Sequence, residues 1–179
     1  DVAAYEDERE EVEELIARIN TKHQRRNGSL PVVYMDTTLD EVEMAAWFCA
    51  ADALVVTSLA DGMNLVAKEF VAARADVSGT LILSEFAGAA QDLDGALIVN
   101  PYDLEAIKRA LLRAIEMPQI EQSARLKTMR AAVQHNDVHR WARHFLSRLQ
   151  SAATVRGGDL ALRSDVADAA GSETVRKLR

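Results

Sequence analysis

Three short runs, Ala53-Leu54-Val55-Val56, Thr80-Leu81-Ile82-Leu83 and Ala96-Leu97-Ile98-Val99, constrain the fold of this chain more than any other feature. A strand with one wet face alternates apolar and polar residues. A run with hardly a polar position must be covered on both sides, as in a parallel sheet flanked by helices. Helical patterns stand where such a sheet needs its crossovers: one from about Asn64 to Arg74, another from about Asp103 to Glu116. Between the second and third runs, Gly88-Ala89-Ala90-Gln91-Asp92-Leu93 leaves room only for a short helical turn. Upstream, Pro31-Val32-Val33-Tyr34-Met35 reads as a further strand of the same kind. The expectation is an α/β fold, a Rossmann-like doubly wound parallel sheet.

The flanking segments are helical. From Val2 to about Arg26, Val2, Tyr5, Val12, Leu15, Ile16 and Ile19 keep helical spacing among Glu and Arg, and Asn27-Gly28 supplies a stop. Thr37 or Thr38 is placed to cap a helix from about Asp40 to Ala51, and Asp103 to cap the one that follows Pro101. Pro118 divides that helix from another reaching about Gln134, and a third extends from about Asp137 to Gln150. Trp141, Phe145 and Leu149 share one face of it, expected to pack on a neighbouring helix or domain. Beyond Gln150 the composition turns to Ala, Ser, Gly and Asp. The expected division is therefore a domain over 1–150 with a helical C-terminal extension, and a tail or linker over 151–179.

At 179 residues, 49 % of them hydrophobic, the chain can bury one sizeable core but not two full-sized domains. A net charge of -7 argues against a nucleic-acid surface, and the lack of an 18-residue apolar run against a membrane span. The single cysteine, Cys49, lies in an apolar run and is expected in the core. With no intrachain disulfide to form, a reducing, cytoplasmic setting is the natural reading. The chain starts without Met inside a helical pattern, as a piece of something longer would. Of its four histidines, His135 and His139 have the spacing of a metal pair, but Asn136-Asp137 starts a new helix between them, so no metal is expected.

Chemistry concentrates where the first apolar run ends, in Asp61-Gly62-Met63-Asn64-Leu65-Val66-Ala67-Lys68-Glu69. In an open parallel sheet, ligands bind at the carboxyl ends of the strands. Gly62 lets backbone come close, and the amides of Met63, Asn64 and Leu65 at a helix start are donors for an anion such as a diphosphate. Glu69, about one and a half turns along, is too far to cap the helix but could accept from a ribose diol, and Asp61 could accept from sugar hydroxyls. Lys68 points roughly 100° away from Glu69 around the helix and is left outside the site. An Asp-Gly turn followed by a solvated helix carboxylate fits the same residues equally well.

Asp61 to Ala72 resembles the donor-site signature of the trehalose-6-phosphate synthase family. So do Leu81-Ile82-Leu83-Ser84-Glu85-Phe86-Ala87-Gly88-Ala89-Ala90 and Ala96-Leu97-Ile98-Val99-Asn100-Pro101-Tyr102-Asp103, with Tyr5, Ile19-Asn20 and Trp141 at similar places. The resemblance covers about 1–150. It implies the carboxy-terminal donor domain of a two-domain GT-B glycosyltransferase that transfers glucose from UDP-glucose to glucose 6-phosphate with retention, needing neither metal nor other cofactor. It further implies that Asp61 holds the donor glucose as the catalytic-site carboxylate. Gly62, Met63, Asn64 and Leu65 would line the sugar and diphosphate, Glu69 would grip ribose, and Leu39 would meet uracil with Val66 nearby.

Two departures accompany the resemblance. Ser58 and Ala60 stand where many members carry Pro and Arg, and the family's diphosphate-clamping Arg and Lys lie upstream of Asp1, with the acceptor domain. The fragment alone is thus expected to be inactive. Glucosylglycerol-phosphate synthases and pseudo-sugar transferases resemble the same family and differ in the acceptor site, and a non-catalytic regulatory subunit binding sugar nucleotide is a third reading. A homo-oligomer is compatible with all three.

Overall fold

The computed structural model of the chain describes residues 2–152. They fall into two compact units, 1–43 and 44–179, the second described as far as residue 152. The expected tail over 151–179 lies almost wholly outside the described residues.

The first unit holds helix α1 (Val2–His23) and a segment without regular secondary structure after it. The helix stops three residues short of the expected Arg26, and Gly28 takes a left-handed φ of 80° in the turn that follows. Pro31–Met35 is a correction to the sequence reading: it forms no strand. Its backbone is held by a side chain instead. The Asn20 amide accepts from Val32 N–H at 2.9 Å and donates to Val32 C=O at 2.8 Å, the two bonds a neighbouring strand would make. Helix α2 (Glu41–Ala50) is capped by Asp40, not by Thr37 or Thr38. Glu43 N–H donates to Asp40 Oδ1, and Asp40 N–H to Glu43 Oε2, a reciprocal capping box that also keeps the acidic residues at the positive end of the helix.

The second unit is the sheet and its helices. Strands β1 (Ala53–Val56), β2 (Thr80–Ser84) and β3 (Leu97–Val99) pair in parallel in that order, so among the described residues the sheet has three strands. Every residue of β2 is buried, as its unbroken apolar run requires. Helix α3 (Leu65–Ala73) and helix α5 (Gln119–His135) cover one face, where Phe70, Leu81, Leu83, Leu93, Leu126 and Met129 form the main core. Helix α4 (Leu104–Glu116) covers the other, with Ala114 against Ile82 and Val99. Helices on both faces of a parallel sheet are the doubly wound arrangement that the sequence predicts. Asp103 caps α4 as expected, accepting from Ala106 N–H at 2.9 Å, and a further helix, α6, occupies 138–152 behind the expected break at Asn136-Asp137.

Cys49 is a second correction: it is exposed. The buried side of α2 falls on Phe48 with Met44 beside it, and one residue further turns the thiol about 100° away, where it reaches Ala73 C=O at 3.5 Å. The end of α2 is closed by Arg74, whose buried guanidinium donates to the carbonyls of Phe48, Cys49 and Ala51 at 2.7 to 2.8 Å.

Candidate functional site

The parallel order places the loops after β1 and β2 at the same, carboxyl edge of the sheet, and the two loops are joined. Asp61 and Ala87 form a parallel bridge outside the strands: Asp61 N–H donates to Phe86 C=O, and Gly88 N–H donates back to Asp61 C=O at 2.9 Å. Ala89 N–H adds a bond to Met63 C=O at 2.6 Å. Gly88 is required for this approach, because a β-carbon there would lie 2.3 Å from Gly62 O. Gly62 differs. Its φ is ordinary, and a β-carbon on it would meet no protein atom within 4 Å, so neither strain nor protein packing demands glycine at this position.

Within the loop, Asp61 acts as the organiser. Its Oδ1 accepts from Met63 N–H at 3.0 Å and its Oδ2 from the Asn64 amide at 2.8 Å. These bonds, the Met63 backbone bond foremost and then the Asn64 side chain, hold the Asp61 carboxyl below its ordinary value, so it is ionised at neutral pH. Asn64 adopts a left-handed φ of 70°, which asparagine tolerates, and caps α3 by accepting from Ala67 N–H at 2.9 Å.

This alters the expected roles of the amides. Met63 N–H is not a free donor for an anion, since Asp61 already takes it. The donors left at the helix start are those of Leu65 and Val66, which helix geometry leaves without an intrahelical acceptor. Both side chains are exposed, as is Glu69 on the second turn. Each Asp61 oxygen keeps acceptor capacity beyond the bond it already makes, so a sugar hydroxyl can be added without dismantling the loop.

The structure thus gathers Asp61, Gly62, Met63, Asn64, Leu65, Val66 and Glu69 onto one strand-end loop and the start of one helix. Leu39 stands half-buried in the first unit, just ahead of α2. Lys68 is turned away from Glu69, as its helical position requires, and pairs with Asp92 at 2.8 Å. Sequence reasoning missed Gly88 and Asn64 as structural determinants of the loop. The signal for Gly88 was there, a glycine shortly after a buried strand.

The family model for glycosyltransferase family 20 matches residues 1–151. The chain belongs to that family. It is 40 % identical over 158 residues to a trehalose-6-phosphate synthase of Mycolicibacterium smegmatis, covering 88 % of this chain and 31 % of the relative. Solved structures match its fold, two of which bear on the site. One is an α,α-trehalose-phosphate synthase (UDP-forming) of Burkholderia xenovorans in complex with glucose-6-phosphate: 43 % identity, TM-score 0.78, 83 % of this chain and 33 % of that one. The other is the E. coli protein bound with UDP-2-fluoro glucose: 42 % identity, TM-score 0.77, 82 % of this chain and 32 % of that one. The chain therefore spans about a third of the length of the family-20 proteins it matches. Among the described residues no three His, Cys, Asp or Glu side chains gather as a metal site, and no helix is long and apolar enough to cross a membrane.

Proposed function

We propose that this chain forms the nucleotide-sugar site of a glycosyltransferase that moves glucose from UDP-glucose to glucose 6-phosphate with retention, giving trehalose 6-phosphate. The observation that carries the proposal is the Asp61–Glu69 unit: an ionised carboxylate at a strand end, an open glycine, a helix start with free first-turn amides, and a second carboxylate on the next turn. Family-20 relatives bound with UDP-2-fluoro glucose and with glucose-6-phosphate support the choice of ligands.

In this reading the diphosphate lies against the amides of Leu65 and Val66, where the positive end of the α3 dipole opposes the charge that grows on the departing UDP. Asp61 accepts from donor glucose hydroxyls, and Glu69 accepts from the ribose diol. Gly62 leaves room for the sugar to approach the backbone. Residues 1–150 make up the donor domain, acting in the cytoplasm. The single unpaired cysteine is in keeping with that setting.

A calorimetric titration of the chain with UDP tests the proposal. Binding is expected, with a rise in melting temperature; a ligand at a hundred times its Kd adds about 2.7 kcal/mol of stability. No heat and no melting shift at millimolar UDP would overturn it.

A further inference from the structure

Lys68 lies outside the proposed donor contacts yet is tied to them by a closed circuit of bonds. Asn64 joins Asp61 Oδ2 to the start of α3, which it caps through Ala67 N–H. One residue further along α3, Lys68 Nζ reaches across to Asp92 Oδ2 at 2.8 Å, in a pair whose side chains are only 19 % and 36 % exposed. Asp92 ends the 3-10 turn Gly88–Gln91, its N–H donating to Ala89 C=O at 3.0 Å. Gly88 and Ala89 in that turn then donate to the carbonyls of Asp61 and Met63, which returns the path to its start.

From this geometry we propose that Lys68 is a positioning residue for the nucleotide-sugar site, acting through Asp92 to hold the 3-10 turn against the Asp61–Met63 loop. The part of this that concerns nucleotide rests on the function proposed above. The direction of the side chain excludes direct contact as its role. Lys68 sits about 100° around α3 from Glu69, and its ammonium is engaged on the side of the turn. An ion pair at this level of exposure is screened only in part by solvent, so it can restrain two elements that the chain itself links through 24 residues.

The test compares the full chain with Lys68→Met, Asp92→Asn and the reversed pair Lys68→Asp/Asp92→Lys, by amide hydrogen exchange without ligand and by UDP titration. Each single variant is expected to speed exchange at Gly88 and Ala89 by about five-fold, the loosening that a lost partly buried ion pair produces, while Leu126 and Met129 in the core keep their protection. UDP affinity is expected to fall by a similar factor, and the reversed pair to restore both readouts. In 1 M salt the parent should move toward the single variants, which themselves should move little. Unchanged exchange at Gly88 and Ala89 in Lys68→Met would overturn the linkage. Faster exchange with UDP affinity intact would overturn the positioning role. A parent chain that binds no UDP would instead sink the donor-site reading and the positioning role that rests on it, with the exchange arm still deciding the linkage.

Discussion

A β-carbon on Gly88 would stand 2.3 Å from the carbonyl oxygen of Gly62, a separation that side-chain carbons essentially never adopt toward backbone oxygen. The two glycines mark opposite sides of one design. Gly88 has no side chain because another loop occupies its place, whereas the space beside Gly62 is left empty by the protein. The first glycine serves the fold of the site; in the function proposed above, the second leaves room for the donor sugar.

Substituting each with alanine should separate these roles. Gly88→Ala must push the Asp61–Met63 backbone away and is expected to cost about 1–3 kcal/mol, as overpacking does, with UDP affinity falling in step. Gly62→Ala is expected to leave stability within about 0.5 kcal/mol of the parent while weakening UDP-glucose more than UDP, because its methyl group intrudes where the sugar approaches. Urea unfolding and paired titrations check both. Equal effects of the two substitutions on stability would contradict the assignment.

Glu69→Gln tests the ribose contact. Glu69 is exposed on the second turn of α3 with no hydrogen-bond or ion-pair partner among the described residues, so the fold should be unaffected. Hydrogen bonds to an ionised acceptor contribute about 1.5–3 kcal/mol, so UDP affinity should drop about ten-fold or more. A variant that binds UDP as the parent does would place ribose recognition elsewhere.

How far the sequence could be read depended on where each residue's partners lie. The runs at 53–56, 80–83 and 96–99 are legible because they are apolar almost throughout; burial on both faces holds at every position of β2, whereas Val55 in β1 and Ile98 in β3 are exposed. Pro31–Met35 has the same composition, but its backbone bonds go to the side chain of Asn20, eleven residues before the segment, and no periodicity reveals that. Asp61 and Glu69 were legible as carboxylates at a strand end and on a helix. That Asp61 spends one oxygen on Met63 N–H, and so withdraws an expected anion donor, is a local bond from the side chain to the amide two residues on, which the Asp-Gly spacing permits but does not require. Cys49 misled for a simpler reason: α2 is apolar nearly all round, so its sequence does not mark which face is buried, and only Phe48 is.

Arg74 offers a test of the scaffold behind the site. Its buried guanidinium closes the carbonyl end of α2, stacks at 5.8 Å from the Phe70 ring centroid and pairs with Asp76 at 3.1 Å. Arg74→Met keeps most of the apolar stem but strands the carbonyls of Phe48, Cys49 and Ala51, while Asp76, half exposed, keeps its bond from Ser78. A loss of about 1–3 kcal/mol is expected, the range for leaving acceptors without their donor. Arg74→Lys should recover only part of it, since one ammonium cannot reproduce the planar fork. Full recovery in the lysine variant, measured by chemical denaturation, would mean that charge alone matters there.

Stability should also fall in acid, and Asp61 gives a way to trace one contributor. Its carboxyl is held below the ordinary 3.8, first by the Met63 backbone bond and then by the Asn64 side chain. Asp76, Glu121 and Asp137 are lowered as well, led respectively by bonds from Ser78, Arg125 and the Arg140 backbone. A carboxyl with a lower pKa folded than unfolded binds fewer protons in the native state through the interval between the two values. Its stabilising contribution is therefore complete above the unfolded pKa and is lost as pH falls through the folded one. The melting temperature of the parent should accordingly be insensitive to these groups near neutrality and drop once pH passes below about 4. Asp61→Asn should melt below the parent at pH 6, because its neutral amide accepts less strongly from Met63 N–H and repels or loses the Asn64 amide. That gap should narrow only as pH falls below the ordinary 3.8 and through the lowered folded value, where the parent's own Asp61 takes up its proton. Melting curves for both proteins across this range decide the matter: a gap that stays constant with pH would show that the charge on Asp61 plays no part in holding the loop, and that its hydrogen-bonding shape alone does so.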